Sequence, residues 1–142
     1  MVAETKKITL DAGSHLNRIE STYTFDGESP LELAAAIAIH KGADATIPAE
    51  GSIASVWDTP QDPSAGRIST GLLSLPNQHG ETLVAAQHAL LIFTRRSGVP
   101  FTYFAGSGWS KADMPTAEAW NAYLTSFLNQ REHSLTLRWT KR

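Results

Sequence analysis

The sequence contains no cysteine. This absence excludes a disulfide scaffold, a cysteine-ligated zinc or iron–sulfur site and a thiol nucleophile. A basic excess is also missing, because 12 lysine and arginine residues stand against 14 acidic residues, for a net charge of −2. Proteins that bind phosphate backbones carry such an excess, so we expect no nucleic-acid partner.

Long apolar runs are also lacking. The longest stretch with few charges, residues 72–93, is interrupted by Asn77, His79 and Glu81, whereas a membrane helix needs roughly 20 apolar residues in succession. We therefore expect no membrane partner. Residues 1–7 have no apolar core, so the chain as given predicts no export signal.

Several motifs that bind metals or phosphates are absent as well. No two of the five histidines stand at a metal-ligand spacing, so we expect no metal site. The segment Gly106–Trp109 matches neither a nucleophile elbow nor a phosphate-binding loop, because it lacks the glycine or lysine that each motif requires. The sequence therefore predicts no bound cofactor.

What the chain does contain is enough apolar material for one core. It has 142 residues, of which 42% are hydrophobic, and a chain of this length buries roughly two-thirds of the surface that it exposes when unfolded. We therefore expect a single domain over residues 1–142.

Hydrophobic residues alternate with polar or small ones along much of the chain, which is the period of a half-buried strand. Residues 18–26 carry Ile19, Tyr23 and Phe25 on one parity, and residues 31–40 carry leucine and isoleucine on one parity. Further strands are predicted at Ser52–Trp57, Arg67–Leu75, Thr82–Phe93, Pro100–Gly106 and Leu135–Trp139.

One segment has helical spacing instead. Thr116 is placed to cap a helix whose apolar stripe includes Trp120, Leu124 and Phe127. Seven or eight strands and one helix predict a mainly β protein, an antiparallel β-sandwich with a C-terminal helix packed across one face or end.

The candidates for acid–base chemistry are His40, His88 and Glu32. His40 shares strand parity with Glu32, away from the leucine and isoleucine face, and the alternative reading is a solvated strand end. His88 lies among alanine, leucine and isoleucine, which is more typical of a hydrogen-bonded core histidine than of a catalyst. Arg18 lies on a possible sheet face with Glu32 and His40 and is a further candidate for saccharide binding, although charges on the outer face of a sandwich have the same pattern.

Aromatic residues give a second signal. Trp57, Tyr103 and Trp109 lie at strand or loop positions, and an exposed tryptophan or tyrosine ring can stack on the C–H face of a sugar. They are therefore candidates for saccharide binding, with packing in the core as the alternative. Trp120, on the helical stripe, is predicted to lie in the core.

Four segments resemble one bacterial family of domains of unknown function. They are the runs 13–18, 31–41, 103–111 and 116–124, which include a Y-x-A-G-x-G-W motif followed by a helix with W-x-x-Y-L. The chain resembles the C-terminal part of this family. The resemblance implies a galactose-mutarotase-like β-sandwich, a role in the use of acidic, plant or algal polysaccharides, and a periplasmic or extracellular location. It does not imply any catalytic residue.

The sequence therefore predicts a carbohydrate-associated protein that binds or processes a saccharide. The first alternative is a polysaccharide lyase, glycoside hydrolase or sugar epimerase, and the second is a non-catalytic assembly module. Because longer relatives carry an N-terminal portion, we also expect uncovered strand edges here, and hence a homodimer. The strand Leu135–Trp139 is the candidate for the joining edge.

Overall fold

The computed structural model describes residues 1–47 and 51–133, and these form nine strands and one α-helix. The strands are β1 Val2–Leu10, β2 Leu16–Phe25, β3 Leu31–Ala38, β4 Asp44–Thr46, β5 Ile53–Asp58, β6 Ile68–Ser74, β7 Glu81–Ala85, β8 His88–Arg95 and β9 Phe101–Trp109, and the helix is α1 Ala117–Glu132.

The strands form two antiparallel sheets. The larger has six strands in the order β1-β2-β9-β6-β5-β4, and the smaller has three in the order β3-β8-β7. The predicted class, a mainly antiparallel β-sandwich with one C-terminal helix, is confirmed. No helix among the described residues is both long and apolar enough to cross a membrane.

The main core lies between the two sheets. Ile37 of β3 and Leu91 of β8 contribute from the small sheet, and Val56 and Leu72 contribute from the large one. Each buried side chain of this size stabilises the fold by about 1.5–3 kcal/mol. The alternation predicted for residues 31–39 is confirmed, since Leu33, Ala35 and Ile37 pack inwards while the residues between them are exposed.

A second core lies on the other face of the six-stranded sheet, beneath α1. Trp120 and Leu124 are fully buried there against Leu73 and Phe104. The helix begins as predicted, because the Thr116 side chain accepts a hydrogen bond from the backbone N–H of Ala119 at 3.2 Å. The six-stranded sheet is thus the middle layer of three.

The prediction of one strand over Thr82–Phe93 is wrong, because the chain reverses in its middle. Ala86 and Gln87 both have positive φ, at 48° and 60°, which is the conformation of a two-residue hairpin turn. β1 and β4 were not predicted from the sequence, and the predicted strand Leu135–Trp139 lies outside the described residues.

Candidate functional site

Three residues form a row across the inner face of the six-stranded sheet. Asp58 on β5 opposes Ile68 on β6, and Ile68 opposes Trp109 on β9. Directly opposed residues of antiparallel strands point to the same face. Since neighbouring strands lie about 4.8 Å apart, the backbones at the two ends of the row are about 10 Å apart.

The next row runs from Val56 through Thr70 to Ser107. Val56 belongs to the core between the sheets, so both rows lie on the face that the small sheet covers elsewhere. The small sheet does not cover the row that contains Ile68 and Trp109. Ile68 is 41% exposed and Trp109 is 46% exposed. We call Asp58, Ile68, Thr70, Ser107 and Trp109 together the Trp109 face.

A histidine–aspartate pair closes one end of the Trp109 face. His40 lies in the turn after β3, and its Nδ1 is hydrogen-bonded to Oδ2 of Asp58. The His40 side chain is 71% exposed, whereas that of Asp58 is 17% exposed. A carboxylate that accepts the Nδ1 proton fixes the orientation of the ring and leaves Nε2 free to exchange a proton.

The Asp58 carboxylate has unused capacity to accept hydrogen bonds. Its Oδ1 atom is buried and has no partner within the described part of the chain. A buried acceptor without a donor costs about 1–3 kcal/mol.

A second histidine–aspartate pair lies at the other end. Nε2 of His15 is 2.8 Å from Oδ2 of Asp113, and both residues border the hollow beside Trp109. The His15 ring packs edge-on against Tyr123, with ring centroids 5.1 Å apart. This pair therefore ties the start of β2 to the loop that joins β9 to α1.

Trp109 is held in place by the loop before β6. Its indole Nε1 donates to the backbone oxygen of Ala65 at 2.7 Å. Next to it, Arg67 N–H donates to Ser110 Oγ at 2.7 Å, and Ser110 N–H donates to the oxygen of Arg67 at 3.0 Å. The exposed ring is thus fixed at its edge while one part of its surface stays open.

The glycines of the Y-x-A-G-x-G-W motif are explained by close approach of the backbone. A Cβ on Gly106 would lie 1.8 Å from the backbone oxygen of His15, and one on Gly108 would lie 2.5 Å from Met114 Cγ. Opposite Gly106, Gly71 leaves room for Trp120 of the W-x-x-Y-L motif. Gly106 therefore lets the chain before β2 approach β9, Gly108 lets Met114 approach it, and the indole of Trp109 at the end of the motif remains exposed.

Two clefts adjoin the Trp109 face and share Ile68. The cleft beside His40 has a volume of about 740 Å³, and the hollow beside Trp109 has about 400 Å³. A larger hollow of about 1170 Å³ runs along α1. The described residues that line this larger hollow include Phe127 but neither a tryptophan nor a carboxylate, so they form no histidine–aspartate pair.

Among the predicted acid–base residues, the structure brings only His40 to this site. Glu32 is exposed on the outer face of the small sheet, opposite Thr94. It lies eight residues before His40, a distance of about 26 Å along an extended chain, so the two are not brought together. His88 is exposed at the β7–β8 hairpin, with Nδ1 2.7 Å from the oxygen of Ala86, which contradicts the interpretation as a core histidine.

The predicted saccharide-binding residues are divided between three places. Trp109 lies on the face named after it. Tyr103 is 8% exposed and stacks on Phe101 in the core. Trp57 alternates with Val56 and so lies on the opposite, helix-side face of the sheet. Arg18 also lies on that side, opposite Phe104, and pairs with Glu20 at 2.7 Å.

Asp58, His15 and Asp113 were not singled out from the sequence. Asp58 follows a predicted strand and stands before prolines, which is typical of a turn residue. His15 and Asp113 are 98 positions apart by their numbers. Within residues 1–47 and 51–133, no group of three histidine or acidic residues is placed to hold a metal ion.

The fold and the site define an antiparallel β-sandwich protein with an open aromatic face between two histidine–aspartate pairs. The chain belongs to the family described as Domain of unknown function (DUF4861), whose model matches residues 1–137. The resemblance to a family of domains of unknown function is thereby confirmed. Searches of curated proteins and of solved structures gave no match to this chain.

Proposed function

We propose that the Trp109 face binds a saccharide. The observation that carries the proposal is the row of Asp58, Ile68 and Trp109, which places an exposed indole ring in register with a histidine–aspartate pair. An indole ring stacks on the apolar face of a sugar ring, and a carboxylate accepts strong hydrogen bonds from hydroxyl groups.

Other features of the face support the same class of ligand. Thr70 and Ser107 present hydroxyl groups between the two ends of the row. The resemblance to proteins encoded beside genes for polysaccharide breakdown favours an oligosaccharide from an acidic plant or algal polysaccharide.

The proposal is tested on a panel of neutral and uronic-acid-containing oligosaccharides, with calorimetry on those that bind. Trp109→Ala should weaken binding by about 1–3 kcal/mol, the scale of a lost aromatic anchor. The matched control is Trp57→Phe, which changes a half-buried tryptophan on the opposite face and should leave affinity unchanged. Circular dichroism establishes that both variants fold.

Two outcomes would contradict saccharide binding at this face. One is that the wild-type protein binds no member of the panel, which would favour a structural or assembly role. The other is that Trp109→Ala binds as tightly as the wild type.

A second candidate function is processing of the bound saccharide by acid–base chemistry. It is favoured by the His40–Asp58 contact through Nδ1, which leaves Nε2 at the cleft. In this function, Nε2 of His40 takes up or supplies the proton of the reaction, and Asp58 positions the ring without being protonated itself.

Product analysis by mass spectrometry on the bound oligosaccharides tests the second function. His40→Ala should lower turnover by about 10²-fold or more while affinity stays close to the wild-type value. Asp58→Asn should also lower turnover, because an amide stabilises the wrong tautomer. His88→Ala is the matched control, and equal turnover of wild type and His40→Ala would remove His40 from the reaction.

A further inference from the structure

Within residues 1–47 and 51–133, no strand covers the outer edge of β1. β1 ends the six-stranded sheet and pairs only with β2 among the described residues. All nine of its residues are exposed, including Val2, Ile8 and Leu10. A long edge strand with exposed apolar residues is a template for pairing with another strand.

We propose that β1 pairs in antiparallel fashion with β1 of a second copy of this chain, about a two-fold axis at Thr5. A sheet that continues across such an axis pairs residues whose numbers sum to ten. This register opposes Thr5 to Thr5, Glu4 to Lys6, and Val2 to Ile8. Threonine pairs, opposite charges and apolar pairs are the cross-strand combinations that stabilise antiparallel sheets.

The charges on β1 favour this register. Lys6 Nζ lies 3.1 Å from Glu4 Oε1 on the same strand, and Glu4 also accepts a hydrogen bond from Ser21 at 3.0 Å. Burial opposes ionisation of Glu4, but hydrogen bonds from Tyr23, Lys6 and Ser21 outweigh it and lower the pKa of the carboxyl. Glu4 is therefore ionised at neutral pH, and pairing would set two Glu4 and two Lys6 side chains in alternation around the axis.

Neighbouring registers lack this complementarity. An axis at Lys6 would face Lys6 with Lys6 and oppose Glu4 to Ile8. An axis at Glu4 would face Glu4 with Glu4 and oppose Val2 to Lys6. Like charges directly opposite each other destabilise a strand pair. A second copy is therefore the occupant that the sequence of β1 fits, with the same residues serving both subunits.

Disulfide trapping tests the register, because the native chain has no cysteine to interfere. In the proposed dimer the two Thr5 Cα atoms lie about 4.5–5.5 Å apart, within the range for a disulfide. The two Ala3 Cα atoms lie about 14 Å apart, since four residues separate them along the strands. Under mild oxidation, Thr5→Cys should cross-link at least about tenfold faster than the control Ala3→Cys.

Exchange of charges tests the pairing without a covalent bond. Glu4→Lys and Lys6→Glu each place like charges across the axis, so each variant alone should weigh 15.4 kDa, the mass of one chain, by light scattering. A mixture of the two variants restores opposite charges at both positions and should give twice that mass. Each variant also loses the Glu4–Lys6 contact within its own strand, and mixing does not restore that contact. Circular dichroism shows whether each variant folds, and the mixture shows whether folded variants pair.

Three results would overturn the proposal. The first is a wild-type mass of one chain that persists as concentration rises. The second is a dimer in which Thr5→Cys cross-links no faster than Ala3→Cys, which would place the interface elsewhere. The third is a mixture of folded charge variants that remains monomeric.

Discussion

Gly106 shows most clearly how single residues shape the site. The backbone oxygen of His15 lies 1.8 Å from where a Cβ would stand on this glycine. Gly106 lies on β9 and His15 directly precedes β2, which is paired with β9 at Leu16 and Gly106, so neither backbone can move away easily. The glycine is therefore required by the approach of β2 to β9, and it also sets where His15 stands beside Trp109.

Gly106→Ala should destabilise the protein by about 3 kcal/mol or more, because the added methyl group collides with backbone rather than with a movable side chain. Urea denaturation followed by circular dichroism measures the free energy of unfolding. The matched control is Ser107→Ala at the next position, whose side chain is exposed and whose change should stay within about 0.5 kcal/mol. Equal stability of both variants would contradict this account of the motif.

At the residue scale, the sequence singled out one member of the His40–Asp58 pair. His40 was recognised because a histidine stood at the polar end of an apolar strand. Its partner Asp58 was not, because it lies on another strand of the other sheet and the contact depends on how the two sheets pack. Likewise, Trp109 is exposed whereas Tyr103 is buried. The sequence pattern alone does not distinguish a buried aromatic side chain from an exposed one.

The β7–β8 hairpin shows where periodicity fails at the scale of elements. Its turn residues, Ala86 and Gln87, are neither glycine nor asparagine, the usual residues at positive φ. Apolar residues continue on both sides of them, so the segment has the pattern of one long strand. The turn holds nonetheless, because the backbone oxygen of Gln87 accepts a hydrogen bond from Ile39 N–H at 2.8 Å.

Replacing this turn by Ala86→Asn with Gln87→Gly should stabilise the protein by about 1 kcal/mol, because each left-handed residue other than glycine costs about 1–2 kcal/mol. Ala86→Val should act in the opposite direction, since a β-branched side chain is least compatible with positive φ. Thermal and urea unfolding measure both changes. If both variants were equally destabilised, the turn would not carry the strain assigned to it.

The other elements show which signals in the sequence are sufficient. The sequence predicts β2 and β3 because apolar and polar or small residues alternate along them. It predicts α1 because apolar residues recur at helical spacing and Thr116 stands at the start as a cap. β1 was missed because charged and apolar residues share its inner face, so no clean alternation appears. β4 has three residues, which is too short for any period to show.

At the scale of the whole molecule, the site exists because the two sheets differ in width. Six strands face three, so part of the inner face of the large sheet extends beyond the small one. Trp109 and Ile68 are exposed on that uncovered part. The turn after β3 places His40 at its border, against Asp58 of the large sheet. A β-sandwich could be inferred from strand periodicity, but the mismatch between its sheets required the structure.

The same architecture separates the two surfaces that we propose to be functional. β1 forms one edge of the large sheet. β2 lies between β1 and β9, the strand that carries Trp109. Pairing through β1 adds strands at the edge and does not cover the Asp58–Ile68–Trp109 row. Saccharide binding and self-association can therefore be measured independently of each other.

We propose that a saccharide bound at the Trp109 face contacts the ring of Trp109. The most direct measurement is a two-dimensional ¹H–¹⁵N NMR titration of the tryptophan indole N–H groups with the oligosaccharide that binds most tightly in the panel. The signal of Trp109, assigned by its loss in Trp109→Phe, should shift and saturate with ligand, while those of Trp57 and the buried Trp120 stay in place. A shift at Trp57 with Trp109 unmoved would contradict the account.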